Sequence, residues 1–216
     1  MTEPAKPKRK YDSGRRSVQA AETRNLVIEA ARELFVASGW QATTIAGIAK
    51  AAAVSTETIY ATFRNKETIL QAVVEKAIRG DQPDRPLLEQ KGPVVIAQAE
   101  SQPAQIALFA KDICRVLANV AEVMAVLRTA AETEPNLSRL YAGLHDGRRR
   151  NLAFVADALI RNGPLHNDMD ISAATAHIWR LASPELFLLM TRVEGLSHDA
   201  YSAWLRDVLE KQLLKP

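Results

Sequence analysis

Within the segment TTIAGIAKAAAVSTETIYATFRNKETIL, Thr43 to Leu70, hydroxyls, a carboxylate, a phenol and an ammonium gather at the starts of three short helical patterns. Thr43 and Thr44 open the first. Ser55, Thr56, Glu57 and Thr58 open the second, with Tyr60 one turn on, and Lys66 opens the third. A helix start carries free backbone N–H groups that attract anions, and a neighbouring hydroxyl or ammonium strengthens that attraction. A corner that served only to pack helices would have no need of such groups at three successive starts.

Chemistry that makes or breaks bonds lacks comparable support. His145, His166, His177 and His198 show no metal-ligand spacing with one another or with Cys114, so no metal site is expected. No phosphate-cradling glycine loop or nucleophile elbow occurs, and neither catalytic residues nor a cofactor are expected. The run Arg148 to Arg150 reads as a solvated helix face. These readings argue against an enzyme.

The elements that must hold the polar groups are helices, because apolar residues recur at helical spacing almost everywhere and strand signals are missing. Helix 1 is expected from about Ala21 to Ser38, with Val27, Ala31 and Leu34 in one stripe and Gly39 as its stop. The second runs from Thr43 or Thr44 to about Ala51, the third from Ser55, and the fourth from Asn65 to about Ile78. Two short helices joined by the turn AAAV, residues 51–54, form a helix-turn-helix whose second helix is sized for a DNA major groove. Next, GDQPDRPLLEQKGPVV interrupts the periodicity and marks a domain boundary. Five further helices are expected at about 104–118, 120–131, 136–161, 171–192 and 197–214. The fold class is therefore all-α, with about nine helices. Its parts are a basic, disordered tail (1–20), a helix-turn-helix domain (21–79) and a helical ligand-binding and dimerisation domain (80–216).

Charge is placed unevenly along the 216 residues. Positions 1–79 hold 13 Lys and Arg against 8 Asp and Glu, and the remainder holds 15 against 17, so the positive charge belongs to the first third. Much of it lies in KPKRKYDSGRR, which suits an arm on nucleic acid as well as a solubilising tail. The lone cysteine fits a reducing compartment, no apolar run is long enough for a membrane span, and no secretory signal is seen. The expected location is the cytoplasm, with no membrane partner.

At this point a resemblance is plain. AARELF, Gly39 to Thr44, Ile48–Ala49, Val54–Ser55, IYATF and NKETIL together resemble the DNA-binding domain of TetR-family transcriptional regulators over about Arg24 to Val74. The resemblance implies a homodimer on a palindromic double-stranded DNA operator, most often a repressor released by a small-molecule effector. An activator or ligand-independent regulator is the alternative. A helical enzyme or protein-interaction module with a structural corner is the alternative of another class. Thr43, Thr44, Ser55, Thr56, Glu57, Thr58, Tyr60 and Lys66 are the expected DNA-binding residues. Tyr60 and Lys66 take the phosphate positions, and Ser55 to Thr58 face base edges. Two features depart from the family pattern: Ala53 stands where glycine is usual in the turn, and the recognition helix opens with Thr56–Glu57 where a basic residue is frequent.

In the second domain the resemblance implies an effector cavity, for which Phe109, Ile113, Val116, Met124, Leu127, Phe154 and Trp179 are the candidate lining, with Arg128, His145 and His177 as weaker polar candidates. The last helices should build the dimer. ELFLLM is apolar all round and needs cover on more than one side, which selects Leu186 and Leu189. Tyr201, Trp204, Leu205 and Val208 form a second stripe, giving a four-helix interface, and Pro184 should kink the first of the two helices.

Overall fold

A computed structural model describes residues 13–80 and 85–215, and among them regular structure is helical apart from one isolated antiparallel bridge between Leu165 and Leu214. The N-terminal domain comprises α1 (Ser13–Ala42), α2 (Ile45–Ala51), α3 (Thr56–Thr62) and α4 (Lys66–Arg79). The C-terminal domain comprises α5 (Lys91–Gln98), α6 (Gln102–Ala131), α7 (Pro135–Arg161), α8 (Ile171–Leu181), α9 (Pro184–Leu188) and α10 (His198–Leu213). No helix among the described residues is long and apolar enough to cross a membrane.

The short helices of the first domain start where side chains supply an acceptor. Thr44, Ser55 and Asn65 each accept from the backbone N–H three residues on, at 3.0, 3.1 and 2.9 Å, which satisfies donors that the helix itself leaves free. Gly39, at φ 74° and ψ 179°, ends the regular part of α1. Behind these caps Val27, Ile28, Phe35, Ile48, Ile59, Phe63, Ile69 and Leu70 are almost wholly buried, each contributing about 1.5–3 kcal/mol of hydrophobic stabilisation. The helices are too short to persist alone, so this shared core holds them.

Four differences from the sequence expectation have physical causes. Helix α1 is already formed at Ser13, inside the segment expected as a disordered tail, while residues 1–12 lie outside the described residues. The two helices expected at 104–118 and 120–131 are one, because Ile106, Phe109, Ala110, Leu117, Val120, Ala121, Met124 and Leu127 keep one buried stripe through the exposed Asn119. Helix α5 forms within the boundary segment, where Pro93 occupies the first turn and so removes no helical hydrogen bond. The expected helix 171–192 is broken rather than kinked. Ser183 caps a new helix by accepting from Leu186 N–H, and Pro184 takes its first position. Helix α9 then widens into a π-type turn over Leu189–Val193.

The domains are joined by direct contacts as well as by the chain. Arg32 donates to the Asn119 carbonyl at 3.0 Å, linking α1 to α6, and Asn136 donates to the Glu67 carboxylate at 3.2 Å, linking α7 to α4. Helix α4 thus closes the first core and packs against the second domain.

Candidate nucleic-acid interface and effector cavity

The start of α3 presents a compact polar surface. Ser55 Oγ accepts from Thr58 N–H and lies 3.1 Å from Thr58 Oγ1, fixing both hydroxyls, while Glu57 projects into solvent. Backbone hydrogen bonding and then the Ser55 side chain hold the Glu57 carboxyl below the usual carboxylate range, so it is an acceptor at neutral pH. Thr56 is half-buried beside it, and Tyr60, 58% exposed, lies one turn on. Thr44 is exposed at the start of α2, where its oxygen is engaged by Gly47 N–H and its own proton remains available to a phosphate.

Two expected contacts are placed otherwise. Thr43 is 2% exposed, and its hydroxyl donates inward towards the Gly39 carbonyl at 2.8 Å and the Leu34 carbonyl at 3.1 Å. It fastens the end of α1 and offers nothing to an outside partner, which corrects that expectation. Lys66 does open α4, but its ammonium donates to the carbonyls of Trp40 and Thr43 at 2.7 and 2.9 Å and sits 4.0 Å from the centre of the Trp40 ring. Partial burial lowers its pKa, an effect partly offset by Glu134. Trp40, stacked on Phe35 at 5.8 Å, was missed from the sequence and is the platform for this lysine. Ala53 adopts φ 54°, so the turn keeps the left-handed geometry despite lacking glycine.

A cavity of about 320 Å³ lies between α4 of the first domain and α5, α6 and α7 of the second. Phe109, Ile113, Val116, Met124 and Phe154 line it as expected, and so does His145. Leu127 and Trp179 do not. Leu127 is fully buried in the core, and Trp179 packs edge-on against His145 at 5.8 Å outside the lining. Gly143, Gly147 and Arg148 belong to the wall and were missed. Arg148 was read as part of a solvated run, yet only Arg149 and Arg150 are exposed. Its guanidinium turns inward to the Ala182 and Trp179 carbonyls at 2.9 and 2.7 Å. The available signal was position: Tyr141, Leu144, His145, Arg148 and Leu152 follow helical spacing on one face of α7. Burial lowers the His145 pKa, Glu185 opposing the shift, and pushes the Tyr141 phenol, which donates to Glu185 at 2.9 Å, up to about 12.

The six residues selected for a dimer divide. Tyr201 and Leu205 are fully buried within one chain, the Tyr201 ring lying 4.8 Å from Phe187, so both belong to the protomer core and that expectation is corrected. Leu189 is 47% exposed, and Leu186, Trp204 and Val208 are half-buried. Helix α10 turns one stripe inward, and the intervening residues carry what apolar surface it has left.

Residues 27–73 match the sequence model of the bacterial regulatory proteins of the tetR family. The N-terminal domain is a TetR-family domain. The matched span runs from the middle of α1 into α4 and contains the whole helix-turn-helix. The TetR likeness extends to the fold of the whole chain. A transcriptional regulator from Saccharomonospora viridis, solved in complex with choline, superposes with a TM-score of 0.68 at 17% identity, covering 91% of this chain and 100% of that one. FadR from Bacillus subtilis, in complex with stearoyl-CoA, gives 0.67 at 20% identity over 86% and 96%. NalD, the secondary repressor of the MexAB-OprM multidrug efflux pump in Pseudomonas aeruginosa, gives 0.66 at 20% over 91% and 98%. At these identities the likeness is one of TetR fold. A comparison of the sequence with curated proteins finds no match.

Proposed function

We propose that this protein is a homodimeric, cytoplasmic regulator of transcription that binds a palindromic DNA operator as a repressor and leaves it when a small molecule fills the cavity. The observation that carries this reading is the double use of α4. Its Ile69, Leu70, Val73 and Val74 are buried on a helix that packs against α1 on the one hand and α6 on the other, and its Glu75, Ile78 and Arg79 form part of the cavity wall. A ligand in the cavity touches the helix that sets the attitude of the DNA-reading head. The choline and stearoyl-CoA complexes of similarly folded regulators, and the repressor role of NalD, support binding and repression rather than catalysis.

In this mechanism Ser55, Thr56, Glu57 and Thr58 meet base edges while Thr44, Tyr60 and the remaining proton of Lys66 meet phosphates. Leu186, Leu189, Trp204 and Val208 pair two protomers, which spaces two heads for successive major grooves. The effector acts only through its preference for the non-binding arrangement, at about 1.4 kcal/mol for each tenfold loss of operator affinity.

Gly147→Leu tests the coupling without a known effector. Gly147 lines the cavity, and a Cβ there meets only the end of the Arg150 side chain, at 3.9 Å, so leucine adds bulk at the wall without a backbone clash, and it favours the helix more than glycine. Fluorescence anisotropy on DNA selected from random sequence should show the folded variant binding at least about tenfold more weakly than the wild type. Unchanged operator affinity in a stable, folded variant would refute the coupling through α4.

A further inference from the structure

Taking the cavity as the effector site, its charges bear on what the effector is. The wall is mostly apolar and includes three cations, Arg79, Arg115 and Arg148, against two acids, Glu75 and Asp112. Arg115 is paired with Asp112 at 3.0 Å. Arg148 differs from the other cations because it is largely buried and makes no ion pair among the described residues. It is held by two carbonyls at the end of α8, and its Nε is buried without a partner. The acid across from it, Glu185, accepts from the Tyr141 phenol and faces His145 Nε2 at 3.7 Å. Besides the two carbonyls, Arg148 meets the Trp179 ring, 5.1 Å from its centre, and a buried cation without a direct ion pair is costly unless a counter-charge completes it. His145, with both ring nitrogens buried and neither in a hydrogen bond, lies one turn before Arg148 on the same wall and adds a further hydrogen-bonding group at that end.

We infer that the effector is an amphipathic anion, an apolar body ending in one carboxylate, whose head lies against the guanidinium of Arg148. The body occupies the space between Phe109, Met124 and Phe154, where Gly143 and Gly147 add no side chain to the wall. The geometry suits arginine because a planar guanidinium can keep its two carbonyl bonds while the remaining edge receives an anion.

Calorimetric titration of the full-length wild type with decanoate, decanol, methyl decanoate and decyltrimethylammonium separates charge from apolar burial without any mutation. Decanoate should bind at least about tenfold tighter than each of the other three. If decanol or methyl decanoate matches it, or the cation exceeds it, the inference is overturned while the cavity remains the effector site. If none of the four binds, the reading of the cavity fails as well. Arg148→Gln, checked for folding by its melting curve, should lose the preference for decanoate and leave decanol affinity within about twofold. Arg148→Lys should retain a part of the preference. A folded Arg148→Gln protein that still prefers decanoate to the same degree would exclude Arg148 as the head-group residue.

Discussion

Replacing Lys66 by alanine separates two roles that the same residue could have in this domain. As a free phosphate contact, Lys66 would leave stability nearly unchanged when removed, since surface substitutions generally stay within about 0.5 kcal/mol. The structure instead gives its ammonium two short bonds, 2.7 and 2.9 Å, to carbonyls that α1 and its following turn leave open, and a seat on the Trp40 ring. Hydrogen bonds from a charged donor contribute about 1.5–3 kcal/mol each when made, and the cation–π contact about 0.5–1. Against this stand roughly 2 kcal/mol of lysine side-chain entropy regained and water that reaches the freed carbonyls of a half-exposed site. The net loss should be about 2 kcal/mol. For a chain of this size that is a fall in melting temperature of about 4–8 °C. Urea denaturation followed by circular dichroism measures it. The same variant should lower the log–log salt slope of DNA binding by up to about 1 per protomer, because the third ammonium proton stays free for phosphate. A stability change below about 0.5 kcal/mol together with the full loss of salt slope would refute the structural role argued here.

Ala53→Gly should stabilise the protein by about 0.5–1 kcal/mol in the same assay, since it relieves a left-handed alanine at φ 54° whose side chain is exposed. His145, whose pKa is lowered in the folded state, binds fewer protons there than when unfolded. Its contribution is therefore present above the unfolded value of about 6.5 and is lost as pH falls through the folded pKa, and His145→Phe should flatten this acid limb in denaturation midpoints. Leu205→Ala should cost about 2–5 kcal/mol of stability as a core truncation. Leu189→Glu should leave the fold intact and yield monomers in sedimentation at micromolar concentration. Glu57→Ala should relax one base position in each half-site, by about 1–3 kcal/mol of discrimination in a binding-site selection.

The helix-turn-helix could be read from the chain because its signals are local. Thr44, Ser55 and Asn65 cap their helices through atoms three residues away, and short sequence separations leave few alternatives. Lys66 was placed at the right helix start, but its carbonyl partners were not legible, since the Trp40 carbonyl is 26 residues away in the chain. Thr43 and Thr44 look alike in sequence, yet one is buried and the other exposed, because the end of α1 folds over only the first. The cavity was legible in its apolar wall and illegible in its charges. Arg148 sits in a run of three arginines, and only the packing of α8 against α7 shows which of them turns inward. The stripe on α10 was seen correctly as apolar, but a stripe does not say whether its cover comes from the same chain. Phe187 covers Tyr201 within the protomer.

The claim that this protein reads DNA is tested most directly by selecting bound sequences from random double-stranded DNA with the wild-type protein at moderate salt. The account predicts enrichment of a two-fold symmetric site whose half-sites are centred about one helical turn, or a multiple of it, apart, held with an affinity that falls steeply as salt rises. Recovery of no common sequence, or binding that neither prefers a palindrome nor weakens with salt, would contradict it.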